Sequence, residues 1–150
     1  MSKILLTGGS GILGQELLKL NPNLIAPTSK EANVTDFKSL FDVIKLHNPE
    51  VIIHCAAETD NRKIEKIPTY AIDVNIIGTA NVASICYELG IRLVYISTDY
   101  CYQGLRGNYS ESDPVLPFNL YAHTKLGGEC SVRAVKNHLI IRTSFGKNTF

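Results

Sequence analysis

The sequence predicts one α/β domain over residues 1–150, built on a doubly wound parallel sheet. Five short apolar segments without alternation, at residues 4–6, 24–26, 51–53, 93–96 and 139–141, are typical of strands covered on both faces. Helical patterns lie between them, so strand and helix alternate along the chain. This order favours parallel strands joined by right-handed crossovers, and ligands of such sheets bind beyond the carboxyl ends of the strands.

Two of the helices have clear boundaries in the sequence. One is predicted from an apolar stripe at i, i+3, i+4, i+7 spacing, formed by Phe37, Leu40, Phe41 and Ile44. Thr35 or Asp36 would cap its start, and it would end near residues 48–49. The other is predicted from Pro68, which suits the first helical position, to Gly90, which suits the position after the last.

Charge, hydropathy and the spacing of Cys and His argue against nucleic-acid, membrane and metal ligands. Fifteen Lys and Arg against fourteen Asp and Glu leave a formal charge of +1, too little to gather nucleic acid or an anionic membrane. No stretch of about 20 apolar residues predicts a membrane span, and the N-terminus lacks the pattern of a signal segment. The four cysteines and four histidines lack paired metal-site spacing, so no metal is expected. We expect a cytoplasmic protein with reduced thiols and a small-molecule ligand.

A glycine loop follows the first predicted strand. Gly8, Gly11 and Gly14 form GxxGxxG, and a helical pattern continues over residues 15–20. A tight turn, close approach to a pyrophosphate and close helix–strand packing each exclude a Cβ, and the helix N-terminus offers free N–H groups to phosphate. The alternative is a mobile turn. The glycine loop lies at the first strand-to-helix junction, and this position favours a dinucleotide site over a mobile turn.

The end of the second predicted strand bears on the choice between NAD and NADP. An Asp or Glu there would hold the ribose 2′-hydroxyl, but the sequence reads Ala-Pro-Thr-Ser-Lys over residues 26–30. Ser29 and Lys30 can instead bind a 2′-phosphate by hydrogen bond and charge, which predicts a preference for NADPH. The alternative is a solvated lysine and a turn serine, with Glu31 as the ribose-binding acid displaced by a few residues.

Three further residues have the chemistry of carbonyl reduction. Tyr121 and Lys125 form YxxxK, which a helix would place on one face, and Lys125 can also bond the nicotinamide ribose. Acid–base work by a tyrosine near neutral pH requires its pKa of about 10 to fall by about 3, and a nearby ammonium acts in that direction. Thr98, at a predicted strand end, can hydrogen-bond the same carbonyl oxygen. Considered alone, YxxxK is typical of an exposed pair of side chains, and a threonine at a strand end is typical of a turn. The order of the three elements, glycine loop, then Thr98, then YxxxK, favours a catalytic site instead.

With these motifs the chain resembles the extended short-chain dehydrogenase/reductases, and among them most closely the dTDP-4-dehydrorhamnose reductases. The matching segments are residues 7–14, 54–59, 74–75, 97–100, 109–113, 121–129 and 142–144. The resemblance implies a Rossmann-like NAD(P)-binding domain that reduces a 4-keto-6-deoxy nucleotide sugar with NADPH. The implied site residues are Ile12 and Leu13 for the pyrophosphate, Ala56, Ala57 and Thr59 for the cofactor, Thr98, Tyr121 and Lys125 for catalysis, and Asp99 and Tyr100 for the sugar. A homodimer is also expected.

The resemblance leaves other functions open. One is a binding module that holds NADP without turnover, as in the related regulatory subunit of methionine adenosyltransferase, and another is a nucleotide-sugar epimerase or dehydratase with retained NAD. Cys101, Ala122 and Phe145 depart from the family pattern and bear on substrate identity. Family members are about twice this length, so the C-terminal substrate lobe is expected to be missing from these 150 residues.

Overall fold

A single parallel sheet organises the computed structural model, which describes residues 2–144. Its strands are β1 (Ile4–Thr7), β2 (Val51–His54), β3 (Arg92–Thr98) and β4 (His138–Thr143), in the order β1-β2-β3-β4. Neighbouring strands are parallel, with Ile4 opposite Val51, Val51 opposite Arg92 and Leu93 opposite His138. The predicted α/β class and parallel sheet are confirmed. Phe145, where a departure from the family pattern was noted, lies outside the described residues.

The segment at residues 24–26 was predicted as a strand, but it contributes only one bridge. Ile25 pairs with Leu5, donating its N–H to Ile4 O at 3.0 Å and accepting from Leu6 N at 2.8 Å. The next donor in a parallel ladder would be residue 27, which is Pro27 and has no N–H. The bridge therefore stops after one residue, on the edge of β1 opposite β2.

Helices connect the strands: α1 (Ile12–Leu20), α2 (Phe37–His47), α3 (Asn61–Lys66), α4 (Pro68–Ala71), α5 (Gly78–Leu89) and α6 (Leu120–Val132). The predicted limits of α2 are confirmed, because the Asp36 side chain caps it by accepting from Ser39 N at 3.1 Å and Asn48 ends it at φ 47°. The helix predicted from Pro68 ends at Gly90 in the left-handed conformation, with φ 67°. It includes a π-helical turn at Ile72–Ile77 that the sequence pattern did not predict.

The core lies between the sheet and one layer of helices. Leu5, Ile52 and Leu93 project from this face of the sheet and are fully buried against apolar side chains of α2 and α5. On the opposite face, β4 leaves Leu139 43% and Ile141 37% exposed. Among the helices of residues 2–144, none combines the length and apolar character needed to cross a bilayer.

Candidate functional site

The carboxyl ends of the parallel strands surround a cavity of about 370 Å³, a volume typical of small-molecule sites. The glycine loop, the segment after β2, β3, α6 and the end of β4 all contribute to it. Among the predicted site residues, those that line it are Gly8, Gly11, Ile12, Leu13, Gly14, Ala57, Thr59, Thr98, Asp99, Tyr100, Tyr121 and Lys125. The structure thus brings residues that are up to 117 positions apart in sequence to one edge of the sheet.

The glycine loop has almost no room for side chains. Gly8 has φ +74°, and a Cβ there would lie 2.5 Å from the backbone nitrogen of Ala56. A Cβ on Gly14 would strike the carbonyl oxygen of Gly8 and lie 2.7 Å from Gly9 Cα. Gly11 caps α1 without a side-chain hydrogen bond, so no side chain occupies the first N–H groups of α1, and Gly11, Ile12 and Leu13 line the cavity. This is the arrangement that a pyrophosphate requires.

Ser29 and Lys30, predicted to bind the 2′-phosphate, do not line the cavity. They lie exposed in a turn that follows the Ile25 bridge. Within this turn the Glu31 carboxylate accepts hydrogen bonds from Thr28 N and Thr28 Oγ1, both at 2.8 Å, and these bonds lower the pKa of Glu31. The acid that was the alternative ribose ligand is therefore engaged in closing the turn.

The end of β2 is fixed by a buried histidine. His54 is fully buried, with Nδ1 2.6 Å from Thr7 Oγ1 and Nε2 3.0 Å from Thr79 Oγ1. Burial, helped by the positive charge of Lys125, lowers its pKa to about 3, so the ring is neutral. His54 therefore ties β1 to α5 beneath the site, and Ala56, two residues later, contributes backbone beside Gly8 rather than cavity lining. No cluster of His, Cys, Asp or Glu able to hold a metal ion occurs within residues 2–144.

Thr98, Tyr121 and Lys125 meet in the cavity. Thr98 and Lys125 are almost fully buried, at 3% and 2% exposure, and the Thr98 side chain lies near enough to the phenol of Tyr121 to lower its pKa. Burial lowers the pKa of Lys125 to about 7, and its Nζ lies 4.2 Å from the centre of the Tyr95 ring. The three groups that carbonyl reduction calls for thus line the same cavity.

The pKa of Tyr121 is shifted in the direction opposite to the one predicted from the sequence. Lys125 was expected to lower it, but burial, with a further contribution from the Asp99 charge, raises it. The Thr98 side chain acts in the opposite direction on this pKa without cancelling the rise. Tyr121 therefore holds its proton at neutral pH, which suits a proton donor.

Asp99 and Tyr100 lie at the rim of the same cavity. The Tyr100 N–H donates to Thr98 Oγ1 at 3.2 Å, which fixes the chain direction directly after β3. The Tyr100 ring is 40% exposed and lies 5.1 Å from the Phe118 ring. An exposed aromatic pair beside a hydroxyl cluster provides an apolar surface on which a sugar ring can pack.

Asn75, in the π-helical turn, supports the site from outside the cavity. It is fully buried; its Oδ1 accepts from Glu58 N at 2.8 Å, and its Nδ2 donates to Glu58 O and to Thr124 Oγ1, both at 2.9 Å. Thr124 lies on α6 directly before Lys125. The wide turn of the π-helix thus lets one amide join the segment after β2 to the helix that carries Tyr121 and Lys125.

Six residues of the cavity lining were not predicted from the sequence. Cys55, Asn61, Ile96, Ser97, Thr143 and Ser144 also line the cavity. The two hydroxyls at 143–144 follow the end of β4, so the strand-end signal that identified Thr98 was present there as well. Cys55 gave no signal of its own, and burial raises the pKa of its thiol to about 11, so the thiol is protonated at neutral pH.

Comparison with known proteins places these features in context. A family model described as RmlD substrate binding domain matches residues 2–147. The chain is 38% identical over 133 residues to a dTDP-4-keto-6-deoxy-D-glucose reductase of Streptomyces niveus, covering 85% of this chain and 46% of that protein. It is 33% identical over 141 residues to methionine adenosyltransferase 2 subunit beta of Rattus norvegicus, covering 87% and 42%.

A solved structure is similar throughout. The crystal structure of dTDP-4-dehydrorhamnose reductase from Bacillus anthracis in complex with NADP superposes with a TM-score of 0.88 at 34% identity, covering 99% of this chain and 57% of that one. The chain therefore spans about half the length of the relatives that it matches.

Proposed function

The chain belongs to the family described as RmlD substrate binding domain, and on that premise we propose that it forms the cofactor-binding and proton-donating part of an NADPH-dependent reductase of a 4-keto-6-deoxy nucleotide sugar. The observation that carries the proposal is the convergence of Thr98, Tyr121 and Lys125 beside the glycine loop in one cavity. The names of two relatives, both reductases of such sugars, support the substrate class.

The glycine loop would hold the cofactor. The free N–H groups at the start of α1, with Gly8, Gly11 and Gly14 leaving space, would bind the pyrophosphate, while Ala57 and Thr59 would contact the rest of the dinucleotide. Bound NADPH would supply a hydride to the carbonyl carbon of the sugar.

The chain's own residues would deliver the proton. Tyr121, whose raised pKa keeps the phenol protonated, would donate to the carbonyl oxygen as it becomes an alcohol. Thr98 would hydrogen-bond the same oxygen and stabilise its developing charge. Lys125, with its pKa near 7, would bond the ribose hydroxyls and hold the nicotinamide end against the phenol.

Replacing Tyr121 by Phe in the complete polypeptide that carries these residues tests the proposal. Turnover of the 4-keto sugar should fall at least about 100-fold, because a positioned general acid contributes that much, while NADPH affinity stays within about twofold. Tyr87→Phe, at a 70% exposed position on α5, is the matched control and should keep wild-type kinetics. Normal turnover by Tyr121→Phe would remove this residue from the mechanism.

We further propose NADPH preference through Ser29 and Lys30. Glu31 is already bonded twice to Thr28, and the exposed ammonium of Lys30 beside it is available to a 2′-phosphate. Lys30→Ala should weaken NADPH binding about tenfold and leave NADH binding unchanged, since one charge-assisted contact is lost. Lys38→Ala, an exposed lysine on α2, is the control. Equal loss of NADPH and NADH affinity would contradict the assignment.

A second candidate is a subunit that binds NADP without turnover. The similarity to methionine adenosyltransferase 2 subunit beta favours it. Steady-state assay of the purified complete polypeptide distinguishes the two, because only the reductase consumes NADPH when the keto sugar is added. An epimerase or dehydratase would instead retain NAD through purification, which cofactor extraction detects.

For the complete polypeptide we also propose a homodimer in the cytoplasm. The four cysteines are free thiols, as a reducing compartment would keep them. Light scattering should give twice the chain mass, and a monomer mass at micromolar concentration would rule out the dimer. Alkylation without reductant should label the exposed Cys130.

A further inference from the structure

Glu129 carries a buried charge on the helix that holds the proton donor. It lies on α6, one helical turn beyond Lys125 and two beyond Tyr121, and is only 1% exposed. Residues at i, i+4 and i+8 lie along one side of a helix, so this carboxylate lies on the same side of α6 as the catalytic pair.

The carboxylate is fully engaged by the ends of two strands. Arg142 of β4 donates from Nε to Oε1 at 2.9 Å and from Nη2 to Oε2 at 2.7 Å. Ser97 of β3 donates from its hydroxyl to Oε1 at 2.6 Å. Burial would raise the pKa of Glu129, but the hydrogen bonds from Arg142 and Ser97 outweigh burial and hold the pKa below its usual range. The group is therefore ionised and locked in one orientation.

Each partner adjoins a cavity residue in sequence. Ser97 directly precedes Thr98, and Arg142 directly precedes Thr143, which lines the cavity at the end of β4. A shift of α6 relative to β3 or β4 would break at least one of these short, charge-assisted bonds. A buried ion pair is weak evidence for stability, since apolar side chains of similar volume often serve as well. The Glu129–Arg142 ion pair is therefore better explained by the geometry of the site than by stability.

We propose that Glu129 is a positioning residue, which through Arg142 and Ser97 fixes the register of α6 against the ends of β3 and β4 so that Tyr121 and Lys125 meet Thr98. The inference rests on the proposed reductase function. It assigns Glu129 no contact with substrate or cofactor.

The test is Glu129→Gln in the complete polypeptide, with kcat expressed per NADPH-binding site so that misfolded protein is not counted. The amide keeps the shape of the side chain but presents donors to Arg142 and leaves its charge unbalanced. We expect kcat to fall about tenfold to a hundredfold, since small misplacements of reacting groups cost that much, with the NADPH dissociation constant within about twofold. Arg142→Lys, which keeps the charge but has a single nitrogen, should show an intermediate loss.

Tyr102→Phe is the matched control. The Tyr102 hydroxyl accepts from Arg142 Nη1 at 2.8 Å, so this variant removes one hydrogen bond of the same arginine without touching Glu129. It should keep the wild-type kcat. The proposal is overturned if Glu129→Gln retains the wild-type kcat per site, or if Tyr102→Phe loses as much. Should Glu129→Gln fail to fold, Arg142→Lys decides by the same criterion.

Failure of the reductase function is a separate outcome. If the wild-type polypeptide reduces no keto sugar, amide hydrogen exchange decides the positioning role. Faster exchange at residues 121–125 and at Thr98 in Glu129→Gln, but not in Tyr102→Phe, supports positioning, and equal protection in the two variants overturns it.

Discussion

Replacing Gly8 by alanine separates two demands on the glycine loop, the backbone conformation and the space. At φ +74° any L-residue is strained, at a cost of about 1–2 kcal/mol. The new Cβ would also lie 2.5 Å from Ala56 N and 2.7 Å from Cys55 C, both backbone atoms that no rotamer change can move away. Overpacking of this kind costs about 1–3 kcal/mol, so we expect a total destabilisation of about 2–5 kcal/mol.

Gly90→Ala is the control that isolates the steric part. Gly90 has φ +67°, close to that of Gly8, but nothing lies within 4 Å of a Cβ built there. It should therefore cost only the conformational part, about 1–2 kcal/mol. The difference between the two variants measures the close approach of the glycine loop to the end of β2.

Urea unfolding followed by circular dichroism gives both free energies of unfolding, and NADPH titration shows whether the loop still binds the cofactor. Gly8→Ala should lose NADPH binding, whereas Gly90→Ala should retain it. If the two variants lie within about 0.5 kcal/mol of each other, the close approach is not a constraint and the reasoning fails.

Three further outcomes follow from buried or capping groups. The pKa of His54 is about 3 in the folded state and near 6.5 in the unfolded state, so between these pH values the unfolded state binds more protons. The free energy of unfolding should therefore fall by about 1.4 kcal/mol for each pH unit below pH 6. His54→Gln should flatten this pH dependence in urea titrations, and an unchanged slope would show that another group causes it. Asn75→Ala should cost about 3 kcal/mol in the same assay, because it leaves Glu58 N unpaired, and a cost below about 1 kcal/mol would contradict the network. Asp36→Ala should lower the free energy of unfolding by about 1 kcal/mol through loss of the N-cap of α2, whereas Asp42→Ala, at an exposed position, should lower it by less than about 0.5 kcal/mol. Equal losses would show that the cap does not stabilise the helix.

The sequence was informative wherever a local pattern has one physical cause. Four of the five apolar segments are strands, although the predicted cover on both faces is incomplete at β4, where Leu139 and Ile141 remain partly exposed. Gly8 and Gly14 have no room for a Cβ, as predicted from the pyrophosphate turn. The start of α2 at Asp36 and the stop at Gly90 follow from capping chemistry that depends on neighbouring residues alone.

Features that depend on distant atoms were not predictable in this way. The bridge at Ile25 ends because a proline falls at the next donor position, which requires knowing the register with β1. The raised pKa of Tyr121 comes from burial and from Asp99, neither of which the YxxxK spacing reveals. Glu129 stood in a matched segment, but its role became visible only when Arg142 and Ser97 were seen to converge on it.

The π-helical turn at Ile72–Ile77 sets a limit on length variation in this fold. A helix that gives up its regular hydrogen bonding for one turn accommodates an extra residue, and removing that residue would restore the ordinary winding. Everything before the deletion would then rotate by about 100° relative to α5, and Asn75 would swing away from Glu58 and Thr124. Insertions and deletions should therefore be tolerated in the exposed loop at residues 103–108 and rejected at 72–77.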